Sequence, residues 1–228
     1  MHSLLRKSAS ELFHSPTPTQ ATSVAANLAR RRHAGLVLDL PSISQDPLAY
    51  PISWSTKNYI AVAFGITVYY QNLDTRKTAR LWTLYDRPWD RIHALQWAGS
   101  ARAGLLALGS ISGKVSLCDA GSPQKTITWP LDSLGKASGI DWVDHSFAVG
   151  RESGKISLFD CRAKDGVKSL AGHKVEVCGV RWSHDGSYLA SGDQDGAVYI
   201  WDARADKYLV GGGEKGRKMR HNGPVKVC

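Results

Sequence analysis

His173, Ser191 and Asp195 are the residue types of a base, a nucleophile and an orienting carboxylate. Brought together, they could cleave an acyl bond. The rest of that machinery is not legible around them: there is no sharp nucleophile turn and no run of amides to stabilise an oxyanion. Trp201, six residues beyond Asp195, gives the same side chains another role. A buried indole N–H and a buried carboxylate both need partners. Trp201 can donate to the Ser191 hydroxyl, Ser191 to the His173 imidazole, and His173 to the Asp195 carboxylate. The sequence predicts a structural hydrogen-bond chain of His173, Ser191, Asp195 and Trp201, and assigns no catalytic residue.

These residues sit on a run that reads as three strands, 177–182, 188–191 and 197–201. Ser183-His184-Asp185-Gly186 and Gln194-Asp195-Gly196 join them, and Asp-Gly at both joints suits the positive φ of tight hairpins. With Gly172-His173 ahead and Trp201-Asp202 at its end, the run reads as one WD repeat, the unit of a β-propeller. Such a sheet cannot bury both faces alone and must stack against others around an axis.

The same skeleton recurs upstream. Gly109, Gly113 and Asp119, then Gly150, Gly154 and Asp160, repeat the spacing of Gly192, Gly196 and Asp202. A looser copy covers 51–54, 59–64 and 67–71. Trp54, Trp97, Trp142 and Trp182 stand 43, 45 and 40 residues apart, the period of one blade. Such indoles could stack on a ligand, but at a recurring strand position core packing is expected. Apolar replacements such as Leu108, Cys118, Val149 and Phe159 leave the full polar chain to the fourth copy, so the second and third must rely on apolar packing. His221-Asn222-Gly223-Pro224-Val225 opens a fifth unit, with a strand expected at 225–228. The expected fold is all-β: a WD-repeat propeller of about four blades plus the start of a fifth, an incomplete ring. Three further repeats are expected if the transcript continues.

Composition narrows the function. Cys118, Cys161, Cys178 and Cys228 are scattered, which argues against zinc or a disulfide framework and for a reducing compartment. No apolar run reaches the ~18 residues of a membrane span. The net charge of +9 comes largely from Arg30-Arg31-Arg32 and the tract 215–220, a tail and a loop, so specific nucleic-acid recognition is not expected. Residues 1–35, with Ser15-Pro16-Thr17-Pro18, read as a disordered or linker tail, and 36–228 as the partial propeller.

Val37-Leu38-Asp39-Leu40-Pro41, then Gln45-Asp46, then Ile52-Ser53-Trp54-Ser55, resemble the lead-in of the Fizzy and Fizzy-related proteins. Asn58-Tyr59-Ile60-Ala61-Val62 continues the match, and Glu176-Val177-Cys178-Gly179 resembles the family within its repeat. The divergence elsewhere is similar to that of meiosis-specific fungal members. These proteins are activators of the anaphase-promoting complex, a ubiquitin ligase. The resemblance implies a substrate-recognition adaptor rather than an enzyme, without cofactor or metal. Its implied partners are ligase subunits and degron-bearing proteins, without a membrane, in nucleus and cytoplasm. Destruction-box peptides of the Arg-x-x-Leu type would use a side groove, where Asp46 aligns with an acidic residue that could take the arginine as a bidentate pair. Asp46 is equally suited to a turn ahead of Pro47. For the KEN degron, Gln194 stands where the family carries Asn and can hydrogen-bond a peptide, whereas Gly196 offers no side chain. The alternative is a general WD-repeat scaffold with no ubiquitin role. The docking box Asp-Arg-(Tyr/Phe)-Ile-Pro and the Ile-Arg tail of the family are not found in the sequence.

Overall fold

Short runs of alternating or continuous apolar residues, interrupted by Gly and Asp, form strands throughout the described part of the chain. The computed structural model describes residues 43–85, 87–129, 135–163, 167–204, 209–211 and 219–226, with backbone alone for 209–211 and 219. The tail 1–35, the 37–41 motif, most of the basic tract and residues 227–228 lie outside the described residues.

The first sheet holds β1 (Ile52–Trp54), β2 (Tyr59–Phe64), β3 (Thr67–Asn72) and β4 (Thr78–Thr83). The second holds β5 (Ile92–Trp97), β6 (Leu105–Ser110), β7 (Val115–Asp119) and β8 (Ile127–Trp129). The third holds β9 (Ala137–Val143), β10 (Ser146–Arg151), β11 (Lys155–Asp160) and β12 (Lys168–Ala171). The fourth holds β13 (Val177–Trp182), β14 (Tyr188–Asp193), β15 (Ala197–Asp202), β16 (Leu209–Gly211) and β17 (Met219–Arg220), the last two both pairing with β15. Apart from β16 and β17, consecutive strands in each sheet are neighbours, and all the pairs run antiparallel.

Each sheet buries its face against the next one. Ala61, Val68 and Leu81 of the first sheet pack on Leu95, Trp97, Leu106, Leu108 and Cys118 of the second. Ala107, Val115, Leu117 and Trp129 pack on Ile140, Phe147, Val149 and Phe159 of the third. Ala148, Ile156 and Leu170 then meet Val177, Val180, Leu189 and Trp201 of the fourth. This serial face-to-face burial is that of a propeller. It also explains the apolar replacements, since Leu108, Cys118, Val149 and Phe159 all lie in these inter-sheet cores. Burial pushes the Cys118 thiol up to about 12, so it is a core group and not a nucleophile.

The recurring glycines have two separate causes. A Cβ on Gly150 would lie 2.7 Å from the Val177 carbonyl of the next sheet, so the first glycine permits close approach. Gly154 has φ +79°, so the second supplies a left-handed turn.

The anchor tryptophans divide. Trp97 is buried, and it packs back onto the first sheet through Tyr59 and Tyr70. Trp54, expected in the core, is 65% exposed. Trp97 and Trp142 reach the sheet before their own, and no described sheet precedes the first. Ser53 faces the second sheet, so alternation turns Ile52 and Trp54 away from it. The fifth unit is also docked: the His221 N–H donates to the Gly196 carbonyl at 2.8 Å and the Val225 N–H to that of Asp193 at 3.0 Å. The strand expected at 225–228 is not seen at 225 and 226.

Candidate functional site

The fourth sheet contains a hydrogen-bond chain with one member different from the sequence reading. Trp201 Nε1 donates to Ser191 Oγ at 2.7 Å, Ser191 Oγ lies 2.7 Å from His173 Nε2, and His173 Nδ1 lies 2.7 Å from Asp193 Oδ2. The carboxylate is that of Asp193, not Asp195. Residues 191 and 193 share one face of β14, which runs two residues further than expected. Asp195 lies in the exposed turn beyond the strand, and its own N–H donates to Asp193 Oδ1 at 3.1 Å. A neutral imidazole, with one donor and one acceptor nitrogen, satisfies the whole chain. Burial keeps it so, pulling the His173 pKa below its ordinary value against the opposing bond from Asp193. Ser191 is fully buried, so no substrate reaches its hydroxyl. The chain is structural.

Gln194 is exposed at the tip of the same turn, its backbone N–H held by the Glu176 carbonyl at 2.9 Å. Its side chain faces solvent.

Asp46 heads the segment that leads into β1. Its Oδ1 accepts the Leu48 N–H at 2.8 Å and its carbonyl accepts the Ala49 N–H at 3.0 Å, so it does form a turn. Its Oδ2 faces two cation-capable groups: His93 Nε2 at 3.0 Å and Lys136 Nζ at 3.1 Å. Lys136 is also 2.9 Å from Glu176 Oε1, and Ser138 Oγ donates to that same oxygen at 2.6 Å. Burial alone would raise the Asp46 carboxyl, but Leu48, His93 and Lys136 together hold it down to about 2. Burial would lower the Lys136 ammonium, yet Glu176 and Asp46 raise it above its ordinary value. Asp46 and Gln194 are therefore separate features, one inside a polar network and the other on a loop tip.

Sequence reading missed His93, Lys136 and Glu176. In β5, β9 and β13 the ladder with the following strand slips near the start of the inner strand. Such a bulge re-aims a side chain out of the ladder. In β5 this residue is His93, whose Nδ1 reaches the Ala137 carbonyl of the next sheet at 3.0 Å. The leading segment crosses these inner strands. The Tyr50 N–H donates to the His93 carbonyl at 2.9 Å and the Tyr50 hydroxyl to the Cys178 carbonyl at 3.1 Å. Lys226 donates to the Pro47 and Ala49 carbonyls at 2.6 and 3.1 Å. Among the described residues, no three His, Cys, Asp or Glu side chains gather as a metal site.

Antiparallel sheets buried face to face, one of them carrying a Trp-Ser-His-Asp chain, define a WD-repeat β-propeller. Residues 165–202 match the family model "WD domain, G-beta repeat". A chain of the crystal structure of the mitotic checkpoint complex superposes with a TM-score of 0.76 at 30% identity, covering 86% of this chain and 59% of that one. The anaphase-promoting complex subunit cdc20 of Dictyostelium discoideum is 34% identical over 75% of this chain and 34% of its own length. FIZZY-RELATED 2 of Arabidopsis thaliana is 33% identical over 76% of this chain and 35% of its own, and slp1 of Schizosaccharomyces pombe 33% over 84% and 37%. The chain belongs to the Cdc20 and Fizzy-related family of WD-repeat proteins. It spans about a third of the length of the curated relatives it matches.

Proposed function

We propose that this protein recruits degron-bearing substrates to the anaphase-promoting complex and leaves ubiquitin transfer to the ligase. Family membership over most of the chain is the observation that carries this reading. The relatives' printed names refer to the complex or its cofactors. Asp46 is the receptor for the arginine of an Arg-x-x-Leu degron: its carboxylate is ionised, fixed by Leu48 and His93, and a third exposed. Gln194 hydrogen-bonds a second degron from the turn after β14. The protein has no catalytic group of its own and acts in nucleus and cytoplasm. Affinity purification of the protein from dividing cells tests the reading. Ligase subunits and Arg-x-x-Leu proteins should co-purify, and Asp46→Lys should remove the latter alone. Recovery of neither would overturn it.

A further inference from the structure

The seat that a degron's arginine needs is already taken by a side chain of this protein. Lys136 Nζ lies between two carboxylates on different elements, 3.1 Å from Asp46 Oδ2 and 2.9 Å from Glu176 Oε1. Its side chain is 15% exposed, against 33% for Asp46 and 10% for Glu176, so Asp46 is the member of the trio most open to solvent. We propose that Lys136 is a built-in competitor for the degron's cationic residue, with Glu176 as the place to which it retreats when a peptide binds. This rests on the reading of Asp46 as the arginine receptor.

The geometry supports an exchange rather than a fixed strut. A lysine ammonium is a point charge on a flexible stem, so it can leave Asp46 and keep a full ion pair with Glu176. No charge is stranded in the low-dielectric network by that move. Both carboxylates stay where they are. Leu48 and His93 hold Asp46, and Ser138 holds Glu176. Asp46 Oδ1 accepts one described bond, so a lone pair remains for the second arm of a guanidinium fork. A fork that engages both oxygens has an advantage over the single contact of Lys136, whereas a peptide lysine has none. Lys136 thereby sets a threshold that favours arginine over lysine in the partner.

The test is fluorescence anisotropy of a labelled Arg-x-x-Leu peptide on the whole protein, with thermal melts confirming that each variant is folded. Lys136→Met should tighten binding on the order of five-fold, the worth of one partly exposed ion pair. Glu176→Gln should weaken it by a similar factor, because Lys136 then has only Asp46 while the amide oxygen still accepts from Ser138. Lys136→Arg keeps the charge and the fold, holds Asp46 with a fork, and should also weaken binding. A purely structural Lys136 would make Lys136→Met weaker or unchanged, and either result overturns the inference. If the unmodified protein binds the peptide through Asp46 and Lys136→Met fails to tighten it, the inference alone falls. If no peptide binds any form, the reading of Asp46 falls and takes the inference with it.

Discussion

The Asp141 carboxylate of the third sheet accepts the backbone N–H of Trp182 in the fourth at 2.7 Å. Ser53 does the same for Trp97 two junctions earlier, its Oγ accepting the N–H at 3.0 Å. In both pairs the acceptor directly precedes one anchor tryptophan and receives the amide of the next. At the junction between them, the Trp142 indole donates to the Gln96 carbonyl at 3.0 Å. Asp141→Ala removes the acceptor and leaves that amide unpaired, at an expected cost of roughly 1–3 kcal/mol in urea unfolding. Asp141→Asn retains an acceptor oxygen and should cost less. Equal losses for the two would show that the charge matters and the amide bond does not.

Asp193 and Asp195 should separate cleanly. Asp193 accepts from His173, Asp195 N–H and Ala197 N–H. Asp193→Ala should cost roughly 3 kcal/mol, as a buried network loses its carboxylate. Asp195→Ala, on the exposed turn, should stay within about 0.5 kcal/mol. Chemical denaturation of the two variants side by side decides it, and a larger loss for Asp195→Ala would reinstate it as the partner of His173.

Stability should fall on acidification below neutrality. The His173 pKa is pulled down by burial from 6.5, so the unfolded chain takes up a proton that the folded chain refuses. The contribution is complete above about pH 6.5 and is lost as the pH drops toward the lower folded value. His93, also lowered by burial despite its bond to Asp46, acts with the same sign. Asp46, held at about 2, adds a second loss between its ordinary 3.8 and that value. Urea midpoints between pH 8 and 5 should decline, and less steeply in His173→Asn. A midpoint that rises on acidification would mean His173 is a buried imidazolium.

Glycine substitutions should report the close approach at the first glycine of the repeat. Gly150→Ala forces the third and fourth sheets apart at the Val177 carbonyl and should cost roughly 1–3 kcal/mol. Gly99→Ala meets nothing within 4 Å and should be close to neutral. The difference in melting temperature between these two variants is the measurement.

How far the sequence carried varies with the kind of feature. Strand positions and the glycine spacing were legible because both follow from backbone geometry, which repeats. Asp193 and Asp195 stand two residues apart, one ending β14 and the other in the turn after it, and only the true end of the strand shows which faces His173. Trp54 was read as core because its spacing matches the other anchors, but burial depends on a neighbouring sheet and not on spacing. The Asp46 network needs four segments far apart in sequence. One signal was present: aligned on the anchor tryptophans, His93 falls where Ser138 and Cys178 stand, and Lys136 falls where Glu176 stands. A bulky imidazole among small residues, and opposite charges at one register, mark a contact between consecutive repeats.

The reception of the Trp97 and Trp182 amides by the sheet before their own also has a direction in time. Ser53 leaves the ribosome before Trp97, and Asp141 before Trp182, so each acceptor is already waiting when its donor emerges. Growth of the wheel can then follow translation, every newborn sheet closing onto a finished surface instead of searching for one.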